Sequence, residues 1–587
     1  MEATILEIRG GTYYDSVVLM QLQLSLAKLP GVLDAGVMMG TEANKALLAQ
    51  SNLLPPEARS TRNDDLILVI RGEDTNAAQK ALAQVDTLLS RRRSVTQDQE
   101  YLPQSVESAS KRMPHAQWVL VSVPGRYAAG VARDALRLGK NVFLYSDNVS
   151  LKDEIALKQI AAQKGLLVMG PDCGTAIVNG VGLGFANRVR RGPIGLVAAS
   201  GTGLQAVTAS IHNMGSGITH ALGTGGRDLS RDVGAMTARQ GLDLLSRDPE
   251  TKVIVLISKP PAQEVADQLL SLARSAGKPV VVYFIGYAPP AKQVAHLHFA
   301  TTFDETAAIA IKLATDSDDA VGRGDPLREM APTSTPFAAG QRYLRGLFSG
   351  GTLAYEAMLI LSGYLSVGAT AKVCPYSNAP LDKRYQLKNS LKSQEHTIID
   401  LGEDEFTVGR PHPMMDNRLR IQRLEQEADD PEVALLLLDV VLGDGAHPDP
   451  ASELAPAIVE AKERAAKAGR HLEVVTLVIG TDEDPQGLDS QIQQLEAAGA
   501  HVETSSEAGI HLVGQLLQPL IAQSDTSSLK EVDLSVLQQP LAAINVGLEI
   551  FTESLTAQGA EVLQVNWRPP AGGNERLMSI LARMKGR

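Results

Sequence analysis

The stretch that decides the fold is Ile194-Gly-Leu-Val-Ala-Ala-Ser200-Gly201-Thr202-Gly203-Leu204. A related stretch, Leu344-Arg-Gly-Leu-Phe-Ser349-Gly350-Gly351-Thr352-Leu353-Ala354, follows in the second half of the chain. Each consists of a short apolar run, a turn rich in Ser, Gly and Thr, and a segment whose apolar residues recur at helical spacing. Each therefore predicts a buried strand, a tight turn and a helix, which is the repeating unit of a parallel α/β sheet.

The residue types of these two turns suit an anion. Glycine lets the backbone approach a ligand closely, hydroxyls add donors, and a helix N-terminus presents unpaired N–H groups with a partial positive charge. The alternative is that each turn only caps its helix. Because two copies occur in matching contexts, we favour a phosphate held between two helix ends. The predicted phosphate-binding residues are Ser200, Gly201, Thr202, Gly203, Ser349, Gly350, Gly351 and Thr352.

Composition narrows the class of protein. A chain of 587 residues exceeds one hydrophobic core, and its low aromatic content of 4% with 51 glycines is typical of an α/β protein. A net charge of −12 indicates no basic face for nucleic acid. Two cysteines, Cys173 and Cys374, favour a reducing compartment, and no metal-ligand cluster is visible. With no signal peptide or membrane-spanning run in the sequence, we expect a cytoplasmic protein.

Regular alternation of strand and helix begins near Ala116 and predicts half of a doubly wound sheet. Further strands are predicted at 195–199, 217–222, 253–257 and 280–284, and a second sheet of the same kind begins at 344–348. Ligands of such sheets bind at the carboxyl ends of the strands. The loops expected there add further candidates, namely Gly225, Gly226 and Arg227 for phosphate binding, Lys259 as a catalytic residue, and Arg410 and His412 for substrate binding.

Four motifs in residues 117–315 resemble the α subunit of succinyl-CoA synthetase. They are Val123-Pro124, Gly170-Pro171-Asp172, Ser200-Gly201-Thr202 and Gly225-Gly226, in that order. Residues 340–520 resemble more faintly the carboxyl-terminal ligase domain of the β subunit, with the match at Ser349-Gly350-Gly351-Thr352. The resemblance implies several doubly wound parallel sheets, namely a Rossmann-like CoA-binding-type domain and two flavodoxin-like domains of the synthetase type.

Nearly the whole chain is similar to the FdrA family, because the turn Met38-Met39-Gly40-Thr41 and the tail from Ile544 to Gly573 also match. Members of that family are acyl-CoA-synthetase-like proteins. Those in allantoin catabolism form one subunit of oxamate carbamoyltransferase and work with two companion proteins. The resemblance therefore implies companion subunits, an oligomer and a small anionic substrate such as carbamoyl phosphate or an acyl phosphate.

The strand and helix pattern, a shift of composition near residue 315 and the resemblance together predict a division of the chain into six segments. They are an N-terminal α/β domain (1–110), a CoA-binding-like Rossmann half (111–190), a first ligase-like domain (191–315), a linker (316–339), a second ligase-like domain (340–525) and a C-terminal segment (526–587).

Two departures from the synthetase affect the expected chemistry. The phosphohistidine position of the synthetase falls at His296, whose surroundings Ala295-His296-Leu297-His298-Phe299 replace the small residues of the synthetase loop. The glutamate that orients the phosphohistidine aligns with Lys259, which can hold a phosphate as a point charge. There is also no ATP-grasp domain and no glycine-rich first turn of a CoA-binding Rossmann half. We therefore expect no required cofactor.

Three functions remain open. The first is a carbamoyltransferase subunit in which Lys259 and the two turns bind carbamoyl phosphate, with oxamate as the acceptor that the family resemblance implies and Arg410 and His412 as substrate-binding residues. The second is an acyl-CoA ligase of the ADP-forming type, in which His296 relays a phosphoryl group and CoA and nucleotide are bound with the help of a partner. The third is a non-catalytic structural subunit.

Overall fold

The computed structural model describes residues 3–11, 16–41, 44–45, 48–49, 53–62, 64–91, 103–315, 337–366, 372–407, 410–521 and 533–568. Most of the predicted linker 316–339 lies outside these ranges. The chain divides into two compact units, Met1–Thr526 and Ser527–Arg587. Within the described part of the chain, no helix is both long and apolar enough to cross a membrane.

The first sheet has three antiparallel strands in the order β1-β3-β2. Its central strand contains Leu66 to Ile70, an apolar run that is buried throughout, while both neighbouring strands are partly exposed. A 3-10 helix spans Pro56–Ser60. The elements are β1 (Ala3–Arg9), α1 (Ser16–Ala27), β2 (Val32–Met39), β3 (Leu66–Gly72), α2 (Thr75–Ala83), α3 (Val85–Arg91) and α4 (Val106–Arg112).

The second sheet has three parallel strands in the order β4-β5-β6 and matches the Rossmann half expected from the alternating pattern. The second of its helices is capped by the Ser150 side chain and ends at Gly165 in the left-handed conformation. The elements are β4 (Trp118–Val121), α5 (Gly125–Arg137), β5 (Asn141–Leu144), α6 (Leu151–Lys164) and β6 (Val168–Met169).

The third sheet has eight strands in the order β13-β14-β12-β11-β9-β10-β7-β8, and its centre is parallel, as predicted. Antiparallel hairpins at both edges were not predicted. The elements are β7 (Thr175–Val178), β8 (Val181–Gly184), β9 (Arg191–Ala199), α7 (Gly201–Asn213), β10 (Ile218–Gly223), α8 (Met236–Arg247), β11 (Val253–Ser258), α9 (Gln263–Ala273), β12 (Val280–Phe284), β13 (Gln293–Val294), β14 (Leu297–Phe299) and α10 (Phe303–Thr315).

The fourth sheet has five parallel strands in the order β16-β15-β17-β18-β19. All nine residues of its central strand are buried, as expected for a strand covered on both faces. The elements are β15 (Tyr343–Phe348), α11 (Gly351–Leu365), β16 (Thr397–Asp400), α12 (Asp404–Thr407), α13 (Arg418–Asp429), β17 (Val433–Val441), α14 (Pro450–Lys467), β18 (Glu473–Ile479), α15 (Leu488–Ala497), β19 (His501–Glu503) and α16 (Ser506–Ile521), with a 3-10 helix at Lys383–Tyr385.

The C-terminal unit contains a parallel strand pair joined by a helix. Its elements are α17 (Ser535–Gln538), β20 (Ala542–Val546), α18 (Glu549–Ala557) and β21 (Glu561–Val565).

The two large sheets share one hydrophobic core, which includes Leu204 and Val207 of α7 together with Leu353 and Met358 of α11. Polar contacts fix their loops against each other. Asn187 donates to Asp484 at 2.7 Å, and the two guanidinium nitrogens of Arg188 each lie 2.9 Å from a carboxylate oxygen of Asp444. At the other side, the Phe303 N–H that opens α10 donates to Glu356 at 2.8 Å. These contacts bring the carboxyl ends of both sheets to a common cleft.

Candidate functional site

The two Ser-Gly turns meet at the centre of this cleft. Ser200 accepts a hydrogen bond from the Gly203 N–H at 3.0 Å and donates one to the Thr352 hydroxyl at 2.8 Å. The close approach requires glycine at position 350, because a Cβ there would lie 2.6 Å from a Thr202 carbon. The N-termini of α7 and α11 are therefore in direct contact.

The turn before α11 already holds a carboxylate of the protein. Asp439, buried in β17, accepts hydrogen bonds from the Ser349 N–H at 2.7 Å, the Ser349 hydroxyl at 3.0 Å and the Gly350 N–H at 2.8 Å. The buried guanidinium of Arg420 lies 3.3 Å from the same carboxylate. A phosphate bound by the Ser349 and Gly350 N–H groups would have to displace Asp439. The expected phosphate shared between the two turns stays a prediction.

A second carboxylate lies against the first turn of α11. Asp400 ends β16 and accepts the Gly402 N–H at 2.9 Å. Gly351 is required beside it, because a Cβ at that position would lie 2.1 Å from the other carboxylate oxygen. Burial raises the pKa of Asp400 to about 7, although Lys259 opposes the shift. This carboxyl group therefore exchanges its proton near neutral pH.

The turn before α7 is open by comparison. Among the described residues, no carboxylate is hydrogen-bonded to the N–H groups of Gly201 or Thr202, and Ser200 is the cap of the helix. A Cβ at Gly201 would have only ordinary contacts, the nearest being the Thr175 hydroxyl at 3.7 Å. This helix end retains unpaired N–H groups and a partial positive charge, which is the arrangement that binds anions.

Lys259 follows β11 and lies beside the open turn, with its backbone N–H directed to the Ala199 carbonyl at 3.5 Å. Its ammonium nitrogen is 3.9 Å from Glu403, and Asp400 and Asp172 act on it electrostatically. Burial lowers the pKa of Lys259, but these carboxylates raise it above its ordinary value, so the side chain is a stable cation.

Asp172 combines an unusual backbone conformation with a shifted pKa. Its φ of 54° is in the left-handed region, which is unfavourable for a residue with a side chain. Part of the residue is exposed to solvent. Desolvation by the surrounding protein nevertheless raises the pKa of its carboxyl group to about 6. Lys259 lowers that pKa, whereas Asp147, Asp404 and Glu403 raise it.

His412 forms another wall of the cleft. Its Nδ1 accepts the Met414 N–H at 3.2 Å, and its ring lies 5.2 Å from the ring of Phe185, which packs in turn on Tyr145. Burial, together with the nearby cations Lys259 and Arg420, lowers the pKa of His412 to about 4. The imidazole is therefore neutral at physiological pH.

One of the predicted cations lies apart from this group. Arg227 is bound by Glu154 at 2.9 Å and by the Val149 carbonyl at 2.8 Å, which commits it to the Rossmann half and corrects its expected contact with phosphate. Gly225 and Gly226 of the same loop do reach the cleft, since Gly226 faces the Asp172 carboxylate. Arg410 has Arg418 and Asp416 as its charged neighbours.

His296 lies near the amino-terminal ends of the parallel strands of its sheet, opposite the ends at which Lys259 lies. It precedes β14, whose first residue pairs with Val280 at the start of β12, and its ring is 3.0 Å from the Ala273 carbonyl. Lys259 follows β11, at the other ends of the same parallel strands. A strand of five residues separates its two ends by about 15 Å. His296 therefore cannot relay a phosphoryl group within this cleft, which corrects its prediction as a catalytic residue.

The carboxylates of the cleft were not predicted as site residues from the sequence. A signal existed for Asp439, because an ionisable residue inside the apolar run from Val433 to Val441 needs a specific partner. Asp400 has a weaker signal, its position at the end of a parallel strand. The described residues contain no group of three or more His, Cys, Asp or Glu side chains arranged to hold a metal ion.

Three sequence families match separate parts of the chain. Residues 1–104 match the family described as AllF, heavy metal-associated domain. Residues 191–314 match the succinyl-CoA ligase like flavodoxin domain, and residues 347–516 match CoA-ligase.

Among individual proteins, the chain is 42% identical over 504 residues to the uncharacterized protein YahF of Escherichia coli, and the match covers 85% of this chain and 96% of YahF. It is 29% identical over 184 residues to the α subunit of the ADP-forming succinate–CoA ligase of Aquifex aeolicus, covering 30% of this chain and 59% of that subunit. It is 27% identical to subunit SauD of the ADP-forming sulfoacetate-CoA ligase of Bilophila wadsworthia, and the match covers 34% of this chain and 70% of SauD.

The parallel sheets and the paired helix ends thus define a protein of the succinyl-CoA-ligase-like class. The chain belongs to the FdrA-like family that includes YahF.

Proposed function

We propose that this chain is a subunit of a carbamoyltransferase that moves the carbamoyl group of carbamoyl phosphate to a small amide acid such as oxamate. The observation that carries the proposal is the open N-terminus of α7 beside Lys259, facing the Asp400 carboxyl group. A helix end and a cation suit the departing phosphate, and a carboxyl group whose pKa is about 7 suits proton removal at neutral pH.

The proposed step balances as follows. The acceptor nitrogen forms a bond to the carbonyl carbon, and the bond between that carbon and the phosphate oxygen breaks, with its electron pair leaving on phosphate. The N–H groups of Gly201 and Thr202 and the ammonium of Lys259 stabilise the phosphate as its charge grows. The proton of the acceptor nitrogen passes to the Asp400 carboxylate.

A second candidate is an acyl-CoA ligase, which the similarity to the ligase subunits of Aquifex aeolicus and Bilophila wadsworthia favours. In that reaction a partner subunit would contribute to nucleotide and CoA binding, and a residue other than His296 would have to carry the phosphoryl group. The N-terminal match to an AllF domain supports the transferase and companion subunits of the same pathway instead. A third candidate is a structural subunit, for which purified partners would be active without this chain.

The test is the consumption of carbamoyl phosphate by the chain together with the proteins that co-purify with it. Activity that needs neither ADP nor CoA is expected, whereas dependence on both would establish the ligase. Lys259→Glu places a negative charge against the phosphate, and we expect kcat/KM to fall about 100-fold, or roughly 3 kcal/mol. Lys259→Met should lose less. Lys252→Glu, a change at an exposed lysine, is the control. Full activity in Lys259→Glu would contradict the proposal.

A further inference from the structure

We infer that His412 donates a hydrogen bond from Nε2 to the carbonyl oxygen of the group being transferred, and that it does so as a neutral imidazole that never exchanges its proton. The inference rests on the proposed function, since it names a role in that reaction. It begins from the geometry of the ring and not from the chemistry.

The hydrogen bond at Nδ1 fixes the tautomer. The Met414 backbone N–H can only donate, and it points at Nδ1 at 3.2 Å, so Nδ1 must offer its lone pair. A neutral imidazole carries one proton, which then lies on Nε2. The ring is held in this orientation by Phe185, 5.2 Å away.

The Nε2 atom lies close to the Asp400 carboxyl group and to the turn before α11. A Cβ added at Gly402 would lie 3.0 Å from Nε2, 3.1 Å from an Asp400 oxygen and 2.8 Å from the Ser349 carbonyl oxygen. Nε2, the Asp400 carboxylate and the Ser349 carbonyl group therefore converge beside Gly402. Among the described residues, no hydrogen bond from Nε2 to the protein is formed. A polar N–H in this position is free to bind a substrate oxygen.

The surroundings of the ring oppose protonation. The cations that act on it are Lys259, from the loop after β11, and Arg420 of α13, and the aromatic side of the ring is Phe185. Burial also raises the pKa of the neighbouring Asp400 carboxyl group, which reduces the negative charge that faces the ring. Together with burial, these neighbours leave the pKa of His412 at about 4.

These features assign a role that differs from acid–base catalysis. When the acceptor nitrogen adds to the carbonyl carbon, the electron pair of the C=O bond moves onto oxygen. A preorganised N–H aimed at that oxygen stabilises the negative charge, and it acts more strongly in the transition state than in the bound substrate. His412 retains its proton throughout, and the proton of the acceptor leaves to Asp400.

The test compares two amides. His412→Gln carries its N–H group at the ε position and should retain kcat within about tenfold of wild type, whereas His412→Asn carries it at the δ position and should lose about 100-fold or more in kcat with little change in KM. His412→Phe preserves the packing on Phe185 and should match the asparagine variant. His115→Gln, at an exposed histidine, is the control.

The independent readout is nitrogen NMR of histidine-labelled protein, with the His412 signals assigned by their loss in His412→Gln. We expect a proton on Nε2 and no titration between pH 5.5 and 8. Titration near pH 6.5, a proton on Nδ1, or equal kcat in the Gln and Phe variants would overturn the role of His412. Absence of carbamoyl phosphate consumption in the wild type would overturn the reaction itself, and the NMR result would still report the tautomer.

Discussion

The N-termini of α7 and α11 have nearly the same sequence and touch each other, yet one is open and the other holds two carboxylates of the protein. The difference comes from the neighbouring strands. Ala199, the last residue of β9, pairs with Ser258, whereas Phe348, the last residue of β15, pairs with Asp400. Asp439 on the other side completes the filled turn. We therefore expect a Ser-Gly motif to bind an external anion only where the adjacent strand ends leave its N–H groups without a carboxylate.

The comparison also explains why the two turns are in contact. The filled turn is a rigid, internally neutralised support, in which Asp439 satisfies two backbone N–H groups and pairs with Arg420. The open turn rests on it through the bond between Ser200 and Thr352. One copy of the motif thus stabilises the fold, and the other is available for a ligand.

The largest expected effect is in the filled turn. Asp439→Asn leaves the buried Arg420 without its counter-charge and at least one backbone N–H without an acceptor, so we expect a loss of about 3–5 kcal/mol in the free energy of unfolding. Urea-induced unfolding followed by circular dichroism measures it. Asp243→Asn, at an exposed ion pair, should change stability by less than about 0.5 kcal/mol. A change of similar size in both variants would contradict the structural role of Asp439.

A pair of alanine substitutions separates the two turns. Gly351→Ala places a Cβ 2.1 Å from Asp400 and should destabilise the protein by about 1–3 kcal/mol. Gly201→Ala has no such clash and should leave the fold intact, but its methyl group narrows the approach to the open turn. Thermal melting with and without millimolar phosphate measures both effects, because a ligand of the native state raises its stability. Phosphate should stabilise the wild type more than Gly201→Ala.

The smallest effect concerns Asp172. Its pKa of about 6 in the folded state exceeds its ordinary value of 3.8, so the folded protein binds a proton that the unfolded chain has lost. Its stability contribution is therefore present below pH 3.8 and is lost as the pH rises through 6. Asp172→Asn cannot titrate and tolerates the left-handed backbone, so it should be more stable than the wild type at pH 8, by less than about 1 kcal/mol, and lose that advantage near pH 4. A stability difference between the two proteins that stays the same across this pH range would contradict the raised pKa of Asp172.

Much of the fold was predictable because strands buried on both faces appear as continuous apolar runs. The run that forms β17 and the strands around the Ser-Gly turns were predicted in nearly their observed positions. The hairpin of β7 and β8 was missed although Asn179-Gly180 between two apolar residues is a strong hairpin signal. The C-terminal strands were not predicted at all.

The site was less predictable than the fold. The sequence led to Lys259, His412 and the Ser-Gly turns, which the structure brings together. It could not show that Asp439 and Asp400 occupy one turn, because that depends on strand order and register between residues far apart in the chain. The prediction for His296 was wrong for the same reason, because an alignment position does not say at which end of the strands a loop lies.

The central claim is that α7 binds the substrate anion and α11 does not. A crystal of the complete chain soaked in selenate, an anomalously scattering mimic of phosphate, tests it most directly. We expect an anomalous peak within hydrogen-bond distance of the Gly201 and Thr202 N–H groups and of the Lys259 ammonium, with Asp439 still bound to Ser349 and Gly350. A peak at Ser349 with Asp439 displaced, or no peak beside Lys259, would contradict it.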